Sequence, residues 1–156
     1  MRGMLRARRR GFFKRVYEVS SDDQPVTTLV GGRRESCEFD IAGQGYRIER
    51  VNRRQFRLTG PDGAVATADR NSGREWAIHA SSGNLTLARP SIWRSRWEVR
   101  QRGTAKGEIR QDGMFTKTYS AGVPTDVPLP VTVLAFYVVL VLFARDQAAA
   151  AAASSS

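Results

Sequence analysis

The sequence predicts a mainly β fold, a closed antiparallel β-barrel wrapped around a hydrophobic C-terminal α-helix. Three observations carry that expectation. The first is one uncharged stretch, Val127 to Ala144 (VPLPVTVLAFYVVLVLFA), which has no counterpart elsewhere in the chain. The second is a series of short segments ahead of it in which apolar and polar residues alternate. Turn residues separate them at spacings of about 8–12 residues, the mark of an antiparallel sandwich or barrel. The third is a matching of needs. Each strand offers one apolar face, and the final helix is apolar on every face, so a sheet closed around it buries both and leaves no free edge.

The elements follow in chain order. Residues 1–11 carry Arg2, Arg6, Arg8, Arg9 and Arg10 and read as a basic flexible arm. A single barrel domain is expected over 12–146. A first strand is expected over Phe12 to Val19, and SSDDQP (Ser20 to Pro25) reads as a turn. Val26 to Val30 and Cys37 to Ile41 are short strands separated by Gly31 and Gly32. Tyr46 and Ile48 alternate with Arg47 and Glu49, and Phe56 and Leu58 alternate with Gln55 and Arg57. GPDG (Gly60 to Gly63) is a turn with proline second, where its fixed φ fits. Ala64 to Ala68 continues as strand, and Asn71 to Gly73 turns again. Trp76 and Ile78 alternate with Ala77 and His79, and after the turn at Ser81 to Asn84 come Leu85 and Leu87. Between Ile92 and Gln101, Trp93, Trp97 and Val99 share one face while Arg94, Arg96, Glu98 and Arg100 share the other. Arg102 to Ala105 is a hairpin turn, Lys106 to Arg110 returns, and Phe115 to Ser120 is the last strand.

The uncharged stretch is rich in valine, which favours strand. Its unbroken run from Val131 to Ala144 is too long for a typical strand and suits a helix. Pro128 and Pro130 fit a helix start, Asp126 or Thr125 can cap it, and Arg145 suits a last turn. The helix is expected over about 128–146, with Leu134, Phe136, Tyr137, Leu140, Val141 and Phe143 as its core residues. Residues 147–156 read as a frayed Ala/Ser tail. The run from Val131 spans about 21 Å as helix, short of the about 30 Å of a bilayer core. The expectation is therefore a buried plug, and the alternative is a single-pass membrane segment through 127–144.

The chain has 156 residues, a net charge of +10 and a pI near 10.9. Nearly all of the positive charge is arginine, since Lys14, Lys106 and Lys117 are the only lysines. Such a surface attracts phosphates, in nucleic acid or in lipid headgroups. Cys37 is the only cysteine, which excludes an intrachain disulfide and points to a reducing compartment. The basic N-terminus is not followed by an apolar run, so it does not read as a secretory signal. A cytoplasmic protein, peripheral at the inner membrane face, is expected.

The chain resembles small bacterial members of the tubby C-terminal-like superfamily, which includes the LURP-one-related proteins and the phospholipid scramblases. The resemblance spans Phe12 to Arg145 and rests on pieces in order: YRIERVNRRQFRLTGPDGAVATADR, REWAI, WRSRWEVRQRGTAKGEIRQ and LPVTVLAFYVVLVLFAR. It implies a closed antiparallel barrel threaded by its C-terminal helix. It also implies binding at membranes, phosphoinositides being the ligand of the eukaryotic tubby proteins.

No constellation of side chains suggests catalysis, a cofactor or a metal. His79, the only histidine, falls on the polar side of a strand, and Cys37 has no histidine near it in sequence. One Cys and one His do not make a zinc site. Asp22, Asp23, Glu35, Glu38 and Asp40 are acidic but lack the pattern of a calcium loop. The candidate ligand-binding residues are basic: Arg47, Arg50, Arg53, Arg54 and Arg57 on one pair of strands, and Arg94, Arg96 and Arg100 on another, with Arg102, Lys106 and Arg110 beside them. The competing reading is a solvated face balanced by Glu49, Glu98 and Glu108. The expected partner is an anionic membrane lipid bound by a monomer. A nucleic acid is disfavoured, because no exposed aromatic is interleaved with these arginines. A membrane-associated partner is the other occupant expected for such a binding module, and the sequence does not identify it.

Overall fold

A computed structural model describes residues 4–10, 15–90, 95–113 and 117–155. Alternation builds the wall. The strands are β1 (Leu5–Arg10), β2 (Val16–Ser21), β3 (Gln24–Gly31), β4 (Cys37–Ile41), β5 (Gln44–Asn52) and β6 (Gln55–Gly60), followed by β7 (Gly63–Ser72), β8 (Glu75–Ala80), β9 (Leu85–Ala88), β10 (Arg96–Gln101), β11 (Thr104–Gln111) and β12 (Thr118–Gly122). One helix, α1 (Leu129–Ser154), ends the chain. Each strand pairs antiparallel with its sequence neighbours, and β1 pairs with β12 to close the barrel. Most apolar residues of the strands point in: Ile48 in β5, Phe56 and Leu58 in β6, Trp76 and Ile78 in β8, Trp97 and Val99 in β10 are all buried, whereas Val30 in β3 and Val51 in β5 face out.

Those inward faces cover α1. Every residue from Val131 to Val141 is buried, as is Phe143. Eleven successive positions complete three turns, so no face of that stretch is left in water. The helix and the inward residues of the strands form one continuous hydrophobic core. Tyr137 meets the Phe56 ring edge-on at 6.5 Å, and Phe143 stacks on Tyr119 of β12 at 5.9 Å. Leu134, Phe136, Leu140 and Val141 are buried as expected. Thr132, the one polar residue in the run, donates its hydroxyl hydrogen to the Pro128 carbonyl at 3.3 Å. By length and hydropathy α1 could also cross a membrane, but in this fold its apolar run is enclosed by the barrel.

Several expectations need correction. The basic arm is in part β1. Leu5 and Ala7 are buried while Arg6 and Arg8 are exposed, so the segment alternates and supplies the strand that closes the barrel. The turn after β2 is narrower than Ser20 to Pro25. It is Asp22 and Asp23, both at positive φ (51° and 63°), as a tight hairpin requires, and Pro25 already belongs to β3. Ile92, Trp93, Arg94 and Phe115 lie outside the described residues. Neither Asp126 nor Thr125 caps α1, which starts without a side-chain cap; Asp126 instead accepts a hydrogen bond from Gln101 at 3.3 Å. The helix does not fray after 146 but runs through the alanines to Ser154, because alanine has the highest helix propensity. Arg145 is therefore well inside the helix and its partners are not the last carbonyls.

Candidate functional site

Because neighbouring strands are antiparallel, the turns alternate between the two ends of the barrel. The segments β1–β2, β3–β4, β5–β6, β7–β8, β9–β10 and β11–β12 lie at one end, and the remaining turns lie at the other. The helix enters at the second end, through residues 123–128, and leaves through the first. We call the first end the mouth.

Arg145 fixes the exit. Its Nε and Nη2 donate to the two oxygens of Glu35, in the β3–β4 loop, each at 2.8 Å. Its Nη1 donates to the Arg53 carbonyl at 3.0 Å, and its guanidinium lies 5.7 Å from the centre of the Phe56 ring. Arg50 adds a third bond to Glu35 at 3.0 Å. Burial by itself would raise the Glu35 pKa, but hydrogen bonds and charge from Arg145 and then Arg50 outweigh it and hold the carboxyl below its ordinary value. One residue on, Asp146 pairs with Arg89 at 2.9 Å. Two clefts open beside this network. One, of about 440 Å³, is lined by Arg15, Glu35, Arg53, Arg145 and the Ala148–Ala149 turn. The other, of about 500 Å³, lies between Arg15, Arg33, Ser36 and Tyr137.

The arginines expected from the sequence divide into two groups. On the outer wall most are neutralised. Arg47 pairs with Glu49 at 3.3 Å, Arg96 with Glu108 at 3.4 Å and Arg100 with Glu98 at 2.9 Å. Arg110 contacts both Glu108 (3.6 Å) and Asp112 (3.4 Å). Arg50 is spent on Glu35, and Arg57, exposed on β6, stands opposite Glu49. Arg94 lies outside the described residues. Most of the wall set is thus paired with carboxylates, while Arg57 and Lys106 are exposed without an ion pair among the described residues. Arg53 and Arg54 differ: they form the β5–β6 turn at the mouth, exposed and without an ion pair among the described residues. The structure adds Arg15, Arg33, Arg34 and Arg74, exposed and equally unpaired, on neighbouring segments of the same rim. Sequence reasoning missed them because they lie up to about sixty positions apart. The signal that finds them is parity: each sits in a segment joining an odd-numbered strand to the next even one.

The opposite end carries the other sign. Its turns hold Asp22, Asp23, Asp62 and Asp126 against Arg102 among the described residues. The remaining chemistry is sparse. His79 is exposed on β8, 3.8 Å from Asp69. Cys37 is buried, and burial above all pushes its thiol pKa far up, so it holds its proton. No three His, Cys, Asp or Glu side chains among the described residues are grouped to hold a metal. A groove of about 740 Å³ is an open hollow on the wall beside the stacked rings of Phe39 and Tyr46 (5.4 Å apart), and the cation that lines it, Arg47, is already paired.

No family model matches the chain, and no curated protein or solved structure matches it significantly.

Proposed function

We propose that this protein is a non-enzymatic binding module that grips anionic lipid headgroups at a membrane surface. One observation carries the reading: six exposed arginines without an ion pair among the described residues cluster on a single rim, while most of those on the wall are paired with carboxylates, Arg6, Arg8 and Arg57 being exceptions. Arginine forks suit phosphate oxygens, and near a charged surface each such cation contributes about 1 kcal/mol of attraction. The resemblance to the tubby C-terminal-like superfamily supports the same class of ligand. In this reading the protein is a cytoplasmic monomer, peripheral at the inner membrane face, with α1 retained as its core. It uses no cofactor. The lone histidine and the buried, protonated cysteine offer neither a base nor a nucleophile.

The test is sedimentation with vesicles of phosphatidylcholine alone or mixed with phosphatidylglycerol, beside a titration with duplex DNA. Binding should need the anionic lipid, fall as salt shortens the Debye length, and weaken in Arg53→Glu/Arg54→Glu. Equal binding to neutral and anionic vesicles would sink the proposal, and tighter binding to DNA would move it to nucleic acid. The length and hydropathy of α1 favour one second reading, a tail-anchored protein. Carbonate extraction separates the two, since a peripheral protein is released and an anchored one is not.

A further inference from the structure

The barrel is electrically polarised along its axis, and this bears on how it meets a membrane. At the mouth, Arg15, Arg33, Arg34, Arg53, Arg54 and Arg74 are exposed and unpaired among the described residues, and Glu35 beside them is consumed by Arg145 and Arg50. Towards the far end Asp22, Asp23, Asp62 and Asp126 stand against Arg6, Arg102 and Lys106, so no excess of positive charge gathers there among the described residues. Eight residues of strand, as in β11, span about 26 Å, or about 20 Å along the axis of a barrel with tilted strands. That height is about two Debye lengths at an ionic strength of about 0.1 M.

We infer that the protein docks end-on, with the mouth against the lipid surface and the far end pointing away. The inference rests on the lipid-binding reading above and specifies its geometry. A membrane touching the mouth feels the unpaired arginines at contact and the aspartates only after two screening lengths. Lying side-on, the barrel would present a mostly ion-paired wall, with the unpaired Arg6, Arg8 and Arg57 scattered over it, and would keep most of the rim arginines out of contact. Specific placement follows for the helix end. α1 leaves through the mouth, and Gln147 to Ser154 project from it, exposed and uncharged. Eight helical residues reach about 12 Å. In the end-on pose this tail reaches the hydrated headgroup layer and carries no side-chain charge into it.

Two measurements on the full-length chain test the pose. In the first, two variants each reverse three exposed charges: Arg33→Glu/Arg34→Glu/Arg54→Glu at the mouth, and Arg6→Glu/Arg102→Glu/Lys106→Glu towards the other end. The expected result on phosphatidylglycerol vesicles is at least a tenfold loss of binding for the first and less than a threefold loss for the second. Equal losses overturn the end-on pose while leaving lipid binding intact. No binding by the unaltered protein ends the lipid reading itself. The second measurement does not depend on how well the charge reversals fold. A polarity-sensitive dye is attached at Ala151→Cys or at Asp62→Cys, the buried Cys37 remaining unlabelled in the native protein. Vesicles should shift the emission of the dye at 151 to the blue and leave that at 62 unchanged. A shift at 62, or at neither site with binding retained, overturns the inference.

Discussion

Glu35 ties three parts of the molecule together, since its two oxygens receive Arg145 of α1 and Arg50 of β5 from its own place in the β3–β4 loop. Its side chain is only 15% exposed, so removing one partner strands a charge away from water. Arg145→Met should cost about 3 kcal/mol in a urea melt, and Glu35→Ala a similar amount. The pH dependence has a definite sign. The folded pKa lies below the ordinary 4.5, so Glu35 stabilises the fold fully above that value and the contribution is lost as pH falls through the depressed one. Glu35→Gln should be less stable than the parent at neutral pH and should lose less on acidification. A parallel acid limb in the two proteins would show that the pair contributes nothing. Cys37 gives a second residue-scale outcome. Buried and with its pKa pushed up, it should resist a thiol reagent in the native protein and react at once in denaturant. Rapid native labelling would contradict its placement in the core.

At the scale of elements, α1 is two helices in one. Its first half is enclosed and its last two turns stand in water. Truncation after Gln147 should leave the melting temperature within about 2 °C, since surface changes are usually worth under about 0.5 kcal/mol. Leu140→Asp should abolish cooperative melting, because it places an unpaired charge where nothing can hydrate it. Much of this was legible in the sequence. Trp97 and Val99 alternate with Arg96 and Glu98, and a period of two has only one structural meaning. The helix was legible from the length of its run. β1 was not, because its inward residues, Leu5 and Ala7, are small or few beside four arginines and the run of charge hid the alternation. The paired arginines on the wall were visible only as charge. Whether Arg96 faces solvent or Glu108 depends on cross-strand register, which local pattern does not fix.

At the scale of the whole molecule, the net charge of +10 is less informative than its distribution. The sequence placed the candidate site on two basic strand pairs, whereas in the folded barrel Arg15, Arg33, Arg34, Arg53, Arg54 and Arg74, from four separate segments, share one rim. Antiparallel order puts those segments at one end, and closure, which depends on β1 meeting β12 around a filled centre, bends that end into a rim. The claim beneath both the fold and the site is therefore that α1 is the core of the barrel and not an appendage to it. Deletion of Leu129 to Ser156, followed by a circular dichroism melt of the remaining chain, tests this most directly. With its centre gone, the strand region should show no cooperative thermal transition and should expose its apolar faces to aggregation or to a hydrophobic dye. A truncated domain that is soluble, rich in β-structure and cooperative in melting would contradict the account and return α1 to the role of a membrane anchor.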